Sequence, residues 1–589
     1  MMGQIQPGSP KMLRVPDHKQ RSFFDAGYLV GDQREFEFAR FYEREILPLV
    51  TDRDFVEFYS EIGREAVSPA LLSHVSALAK IEGLSDRKTA KAVKVRLDWK
   101  VALGLRLDYQ GFDATRLVRF RARFLETTSE NAQDEATDEQ KARGRLLLDR
   151  IVQKLVDYGL VKRGQSVRLD STHILSGAKN INRYQTIFES MSLAVRALDA
   201  ENSTFLEAAE LASLREKYSK PMGAYDLKKD RVRKNLEIST KDALRLLKAL
   251  EAEGREGLKG LSAVAVLSKA VQDNVELRRK GAERKVGRPK KDAEGGSLSE
   301  ADVATLFEPG GLSEDEVEIV ERQSGDRMIT PHDESARLGV KKNGKLRWVG
   351  SKTHAAETVP EKGAGTPFVV DFNSTPANAP DMCETLPSLD RLAKRGFKPP
   401  RAYVDAGYVC GETVARSRDD HGIELYGPPA EPRATGRFQP EQFGVDFDAG
   451  SATCPAGKTS DSFKLKYEDD TLAGADARFN KATCSECPLA AKCLGKGKTV
   501  RDVSFTAHHH DLVQQRQKAR TPEFKQEYKK RAPCEGIFAD LSGPLGLRRS
   551  SVKGPAKVFF EQALGMVAIN VKRFFKALQR RPEVVPMRA

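Results

Sequence analysis

Tryptophan is nearly absent from this chain of 589 residues: Trp99 and Trp348 are the only two, and aromatic residues make up 7%. Both read as core packers, Trp99 in a helix and Trp348 in a strand. No apolar run is long enough to span a bilayer, and no charged-then-apolar leader follows Met1, so neither a membrane protein nor a secreted one is expected. Cysteine is scarce too. Seven in a chain of this length, four of them clustered, exclude a disulfide framework and point to reduced thiols in a cytosol. Acidic residues fall short of basic ones, 84 against 98, which leaves a net charge of +14 and calls for a polyanionic partner.

What is present begins with helices. Ser68-Pro69 opens an apolar stripe (Leu71, Leu72, Val75, Leu78), Glu82-Gly83-Leu84-Ser85 makes a turn, and Ser85 caps a second helix to about Leu97, a helix-turn-helix pattern. Asp113 caps a third helix whose Leu117, Phe120 and Phe124 form an apolar face. Arg116, Arg119 and Arg123 lie on another face at a spacing that suits a phosphate backbone, although the same stripe also describes a solvated helix face. A connector helix (138–158) leads to Ser166-Val167-Arg168-Leu169-Asp170, which alternates polar and apolar as a half-buried strand does, with Asp170 at its end. A helix-rich basic stretch (182–285) follows and ends in Gly287-Arg288-Pro289-Lys290-Lys291. That pentamer is similar to an AT-hook core, with Arg288 entering a minor groove, and it also reads as a plain basic linker. An acidic segment then precedes an α/β pattern: strands at 345–351 and 366–372, a helix at 382–395, a strand ending at Asp405, a short helix from Glu412, and a strand at 424–426.

Cys454, Cys484, Cys487 and Cys493 have 29, 2 and 5 residues between successive members. Four thiolates suit structural Zn²⁺; an iron-sulfur cluster and unligated thiols stay open, since ligand type does not separate them. Cys383, Cys410 and Cys534 read as structural. His508-His509-His510 reads as an exposed loop triplet, and His173 and His354 fall near the aspartates without an assigned role.

Asp170-Ser171-Thr172-His173, Asp405-Ala406-Gly407-Tyr408 and the run from Tyr528 through Arg531 to Glu535 together resemble bacterial insertion-sequence DDE transposases of the group with a Tyr-x2-Arg-x3-Glu-x6-Lys signature. Ser542 stands where the lysine of that signature falls, with Arg548 and Arg549 close behind, and Pro533 interrupts the face that Tyr528, Arg531 and Glu535 would share on one helix. The resemblance implies that Asp170, Asp405 and Glu535 hold Mg²⁺ or Mn²⁺ for two-metal phosphoryl transfer, and that Tyr528 and Arg531 grip phosphates at the element's end. Relatives that make hairpin ends stack a flipped base on an aromatic from the second insertion, where this chain offers Phe438, Phe463 and Tyr467. It further implies double-stranded DNA as partner, cleavage at terminal inverted repeats with transfer of the 3′-OH ends, a dimer or larger on DNA, and a cytoplasmic, nucleoid-associated protein. A nuclease without strand transfer and a non-catalytic DNA-binding remnant are the alternatives.

The expected architecture is α/β with a ribonuclease-H-like core. An N-terminal helical DNA-end-binding domain (1–130) leads to a connector and first core strand (131–181), then a basic helical insertion with acidic linker (182–325). The core resumes at 326–427, a Cys-rich insertion takes 428–521, and the catalytic helix with a helical tail closes the chain at 522–589.

Overall fold

The computed structural model describes residues 25–580 except 32, 60–65, 127–134, 179, 208–210, 220–228, 252–255, 280–316, 323–324, 342–343, 362–364 and 432–435. Arg288 and its pentamer therefore lie outside the described residues, as does most of the acidic segment.

The chain is mixed α/β with a helical N-terminal region. Eight of its strands are β1 (Val167–Leu175), β2 (Val275–Arg279), β3 (Val317–Glu321), β4 (Arg337–Lys341), β5 (Leu346–Thr358), β6 (Val369–Pro376), β7 (Arg401–Tyr403) and β8 (Glu424–Tyr426). The main sheet runs β4-β5-β1-β7-β8, with β6 on β5; β5 is antiparallel to β1, β4 and β6, while β7 is parallel to both β1 and β8.

Strand lengths differ from the sequence reading for a shared reason. Asp170 is not at a strand end, because β5 keeps pairing with β1 from Val167↔Thr358 past Asp170↔Ala355 to Leu175↔Gly350. The same ladder carries the strand expected at 345–351 on to Thr358. Gly350 permits this close approach, since a Cβ there would stand 2.1 Å from the Ile174 carbonyl oxygen. The strand expected at 366–372 starts at Val369 and runs to Pro376. Nor is the basic stretch helical to its end. Val275, Glu276 and Leu277 alternate in type and pair with β3.

One hydrophobic core joins the N-terminal helices, β1, β5, β6, β7, β8 and the long Pro555–Arg580 helix. Phe41 meets Phe574 edge-on at 5.2 Å, and Lys80 pairs with Glu561 at 3.4 Å. The Pro69–Glu82 helix is consequently buried on almost every side. The helix-rich block after β1 has its own core around Ile187, Met191 and Leu246, and the Cys-rich region has a third around Phe443, Phe479 and Phe505. Among the described residues no helix is long and apolar enough to cross a membrane.

Candidate functional site

Two backbone devices present the aspartates. Asp170 projects from the middle of β1, its Oδ1 accepting from the Ser171 amide at 2.8 Å. Asp405 follows β7 by two residues and caps the 3₁₀ turn Ala406–Tyr408, accepting from the Gly407 amide at 2.8 Å. The parallel pairing of β1 with β7 sets the two strands side by side. Arg531 then bridges the carboxylates: its Nη2 is 2.5 Å from Asp170 Oδ2 and 3.9 Å from Asp405 Oδ2. Burial pushes the Asp170 carboxyl up to about 6 even against the pull of that guanidinium. The Arg531 Nε is buried and has no hydrogen-bond partner among the described residues. An unpartnered guanidinium nitrogen is a costly group to bury.

The segment carrying Arg531 is held from both ends. Tyr426, Phe524 and Tyr528 stack in series, at 4.3 and 5.8 Å between ring centroids, and the Tyr528 hydroxyl donates to the Val404 carbonyl at 2.9 Å. Tyr528 therefore anchors the backbone beside Asp405. Below it, buried Arg168 donates to Glu357 at 2.6 Å and to the Lys530 carbonyl at 3.2 Å, tying β1 to the same segment.

Tyr528, Arg531 and Glu535 do not share one α-helix. The Pro522–Tyr528 helix passes into a 3₁₀ segment Lys529–Cys534 that contains Pro533, and a new helix begins at Glu535. Proline removes a donor and clashes with the preceding turn, which accounts for the break. Glu535 is exposed at the start of that helix, and among the described residues no three His, Cys, Asp or Glu side chains are arranged to hold a metal ion. The structure thus brings Asp170, Asp405, Arg531 and Tyr528 together and leaves Glu535 outside. Ser542 donates to the Phe538 carbonyl at 2.5 Å within its own helix. Arg549 donates to the Ser176 carbonyl at 3.1 Å, at the far end of β1.

Of the groups around the aspartates, His173 and His354 fall nearby in the sequence reading, whereas Asp381 has no counterpart there. Asp381, after β6, accepts from Lys352 at 2.7 Å and from the Ser171 hydroxyl at 3.2 Å. Buried His354 bridges the Tyr408 hydroxyl at 2.6 Å and the Thr375 hydroxyl at 2.9 Å, and burial pushes it down to about 3, so its ring is neutral. His173 lies against Trp348, with ring centroids 5.1 Å apart. The only local signal for Asp381 is its place after Pro380 at the start of a helical turn, which many carboxylates share.

Elsewhere, Arg116, Arg119 and Arg123 are exposed along the Thr115–Phe124 helix, with Arg123 stacked 4.7 Å over Tyr59. Asp113 accepts from the Thr115 amide at 2.9 Å one residue before that helix's N-cap, Ala114, and neither Ala114 nor Ser85 makes a side-chain cap bond. The histidine triplet is not a loop: it opens the His509–Arg520 helix, and His509 is buried against Phe505. Cys383 is exposed rather than packed, Cys410 is half-buried and Cys534 is buried. Cys454, Cys484, Cys487 and Cys493 line one small cavity with Phe443, Phe479 and Arg501, and burial pushes the thiols of Cys484 and Cys493 up. Phe438 and Phe463 pack on that module's core, and Tyr467 is 60% exposed.

Comparison with known families adds two matches. Residues 453–575 match the model of a transposase DDE domain, and residues 34–123 match that of a transposase domain (DUF772). The first takes in the four clustered cysteines, Tyr528, Arg531 and Glu535; the second takes in Arg116, Arg119 and Arg123; Asp170 and Asp405 fall outside both. No curated protein and no solved structure matches the chain. Together, the two family matches support an insertion-sequence transposase.

Proposed function

We propose that the chain binds the terminal inverted repeats of an insertion sequence, cleaves DNA at its ends and transfers the 3′-OH ends into target DNA. The observation that carries this reading is the pair Asp170 and Asp405, set on β1 and just past the adjacent β7 and sharing one cation. The order of elements supports a ribonuclease-H-like core. After β1 with Asp170 and the helical block come β4, β5 and β6, the Thr385–Lys394 helix, β7 leading to Asp405, the Gly411–Asp419 helix, β8, and then the segment with Arg531 and Glu535, β4 being an added edge strand. The helical block after β1 and the Cys-rich region after β8 are then insertions into that core.

The donors at the site are oxygens only, and two carboxylates already share the Arg531 guanidinium as a stand-in cation, so they fit a hard divalent ion. Asp170 and Asp405 would hold Mg²⁺ or Mn²⁺, with Glu535 the third ligand the signature assigns. When bound, such ions activate a water or DNA 3′-hydroxyl and stabilise the leaving oxygen of an in-line displacement. The chain's own part is positional. Tyr528 fixes the strand that leads to Asp405, Arg168 fixes the Arg531 segment, and Arg531 sets its guanidinium beside both carboxylates, the place a DNA phosphate would meet it. Arg531→Lys keeps the charge and loses the planar fork. Strand transfer should fall about 10- to 100-fold, the worth of one charge-assisted hydrogen bond, with overall DNA binding little changed. An equal loss on any DNA would make Arg531 a general electrostatic contact.

The exposed arginine stripe supports DNA contact by the N-terminal helices. These helices share a core with the Pro555–Arg580 helix, so the test belongs in the full chain. Replacing Arg116, Arg119 and Arg123 together by Ala should reduce the slope of log affinity against log salt by about 3 if each meets a phosphate. An unchanged slope would return the stripe to plain solvation. In the Cys-rich module four soft donors line one cavity and suit zinc by donor type, although their side chains are not gathered into a ligand set. Elemental analysis should find about one zinc per chain, and Cys487→Ser should lose it and unfold that module while β7 and β8 persist. Iron with a visible absorption band would identify a cluster instead.

Two ends must be held for joining, which favours a dimer or larger assembly on DNA. The deciding assay incubates the full chain with Mg²⁺ and DNA carrying the element's own ends. Nicked and joined products support the proposal; nicks alone identify a nuclease, and binding without either identifies a non-catalytic remnant.

A further inference from the structure

We infer that Asp381 is a positioning residue of the Asp170/Asp405 pair, holding Ser171 and the Gly407 turn at fixed spacing through a carboxylate anchored by Lys352. The inference rests on the reading of that pair as a metal site. Asp381 opens a 3₁₀ turn after β6, and its side chain is only 9% exposed. One oxygen takes the Lys352 ammonium at 2.7 Å; the other accepts from the Ser171 hydroxyl at 3.2 Å, one residue from Asp170. That second oxygen also lies against Gly407, where an added Cβ would meet it at 3.3 Å and Asp405 Oδ1 at 3.0 Å. Gly407 is the residue whose amide binds Asp405. A single carboxylate therefore accepts from the residue after Asp170 and lies beside the glycine whose amide binds Asp405. Its anchor is fixed independently, since Lys352 comes from β5, paired to β1 at His173↔Lys352, and also donates to the Ala379 carbonyl.

Unlike the buried pair of Arg168 with Glu357, the pair of Asp381 with Lys352 reaches the residue beside Asp170 directly, through the Ser171 hydroxyl. Lys352 is 6% exposed, and a buried ion pair of this kind is often no more stabilising than apolar residues of the same size, so stability alone does not account for it. Groups that orient the ligands of a metal site, by contrast, commonly change metal affinity about 10- to 100-fold when removed. Burial would raise the Asp381 carboxyl, yet the Lys352 hydrogen bond and charge hold it below the usual range, so it stays an acceptor. Lys341, 3.8 Å away, is the other cation facing it.

The test measures Mn²⁺ binding to the full chain without DNA by calorimetry, beside thermal unfolding, for Asp381→Asn, for Asp381→Asn combined with Lys352→Gln, and for Ser171→Ala. Asp381→Asn leaves a buried lysine uncompensated and lowers stability. The double variant, a neutral hydrogen-bonding pair, should recover most of that stability while Mn²⁺ binding stays weaker than wild type by about tenfold or more. Ser171→Ala removes one hydroxyl with little effect on packing and should weaken Mn²⁺ binding by about threefold, the lower end for one lost hydrogen bond. Recovery of both stability and Mn²⁺ affinity in the double variant, or wild-type affinity in Ser171→Ala, would reduce Asp381 to a structural ion pair and overturn the inference. Absence of Mn²⁺ binding in the wild type would instead sink the metal reading of the aspartates, and the inference with it.

Discussion

Asp170→Asn and Asp405→Asn should each lower DNA cleavage by about a thousandfold or more, with affinity for the element's ends kept within about twofold. The size follows from what the carboxylates do, since a catalytic metal ion stabilises transition-state charge by several kcal/mol, and each 1.4 kcal/mol is about tenfold in rate. Asparagine keeps the shape of each side chain, so the cap on the Gly407 amide and the acceptor for the Ser171 amide both have an oxygen available. Binding should survive because the exposed arginines are far along the chain from the acidic pair. Glu535→Ala is the discriminating variant. The signature demands the same loss from it, yet this side chain is exposed and does not converge on the aspartates in the free protein. A full loss of cleavage means that the Glu535 helix moves inward when DNA and metal arrive. Wild-type cleavage would strike Glu535 from the site and leave Asp381, which accepts from Ser171 and lies beside Gly407, as an alternative carboxylate.

What could be read from sequence was what local patterns dictate. Asp405 was legible because Ala402, Tyr403 and Val404 form a buried β segment and Gly407 permits the turn that the aspartate caps. Pro533 announced the break between Arg531 and Glu535, and the 3₁₀ segment there is its direct result. Placements that depend on partners distant in sequence stayed hidden. β1 continues past Asp170 only because β5 offers nine paired residues, and β2 is a strand only because β3 lies beside it. His509 reads as polar surface until Phe505 covers it, and Cys383 reads as packed until its 3₁₀ turn exposes it. Asp381 and Lys352 were missed for the same reason: their roles come from meeting each other, Ser171 and Gly407 in space, and neither carries a spacing that sequence alone could flag.

The largest loss of stability should come from Asp371→Ala, a residue with no part in the proposed chemistry. Asp371 lies in β6, fully buried, and is met by three arginines from two helices: Arg391 at 2.8 Å, Arg145 at 2.9 Å and Arg395 at 2.6 Å. Ser388 also donates to it at 2.9 Å. Burial alone would raise its carboxyl, but the three guanidinium groups, Arg391 foremost, outweigh that and hold it far below the usual carboxylate range. Alanine would leave those arginines facing an apolar hole. Removing one partner of a buried ion pair costs about 3–5 kcal/mol, and three arginines depending on one carboxylate place this variant at the upper end or beyond. The sign of the pH dependence follows from the depressed value. The stabilisation is complete above the unfolded carboxylate pKa of about 4 and is lost as pH falls below it, because the unfolded chain then takes up a proton that the folded one refuses. Trp99 is buried in the core that also holds Phe372, and Trp348 is buried in β5 of the same sheet, so their fluorescence reports unfolding of that core and sheet. Wild-type protein should begin to lose stability below about pH 4, whereas Asp371→Ala should already be destabilised at neutral pH and show a shallower acid dependence. Equal acid profiles for the two proteins would mean that Asp371 is not the carboxylate whose charge holds β6 to its helices.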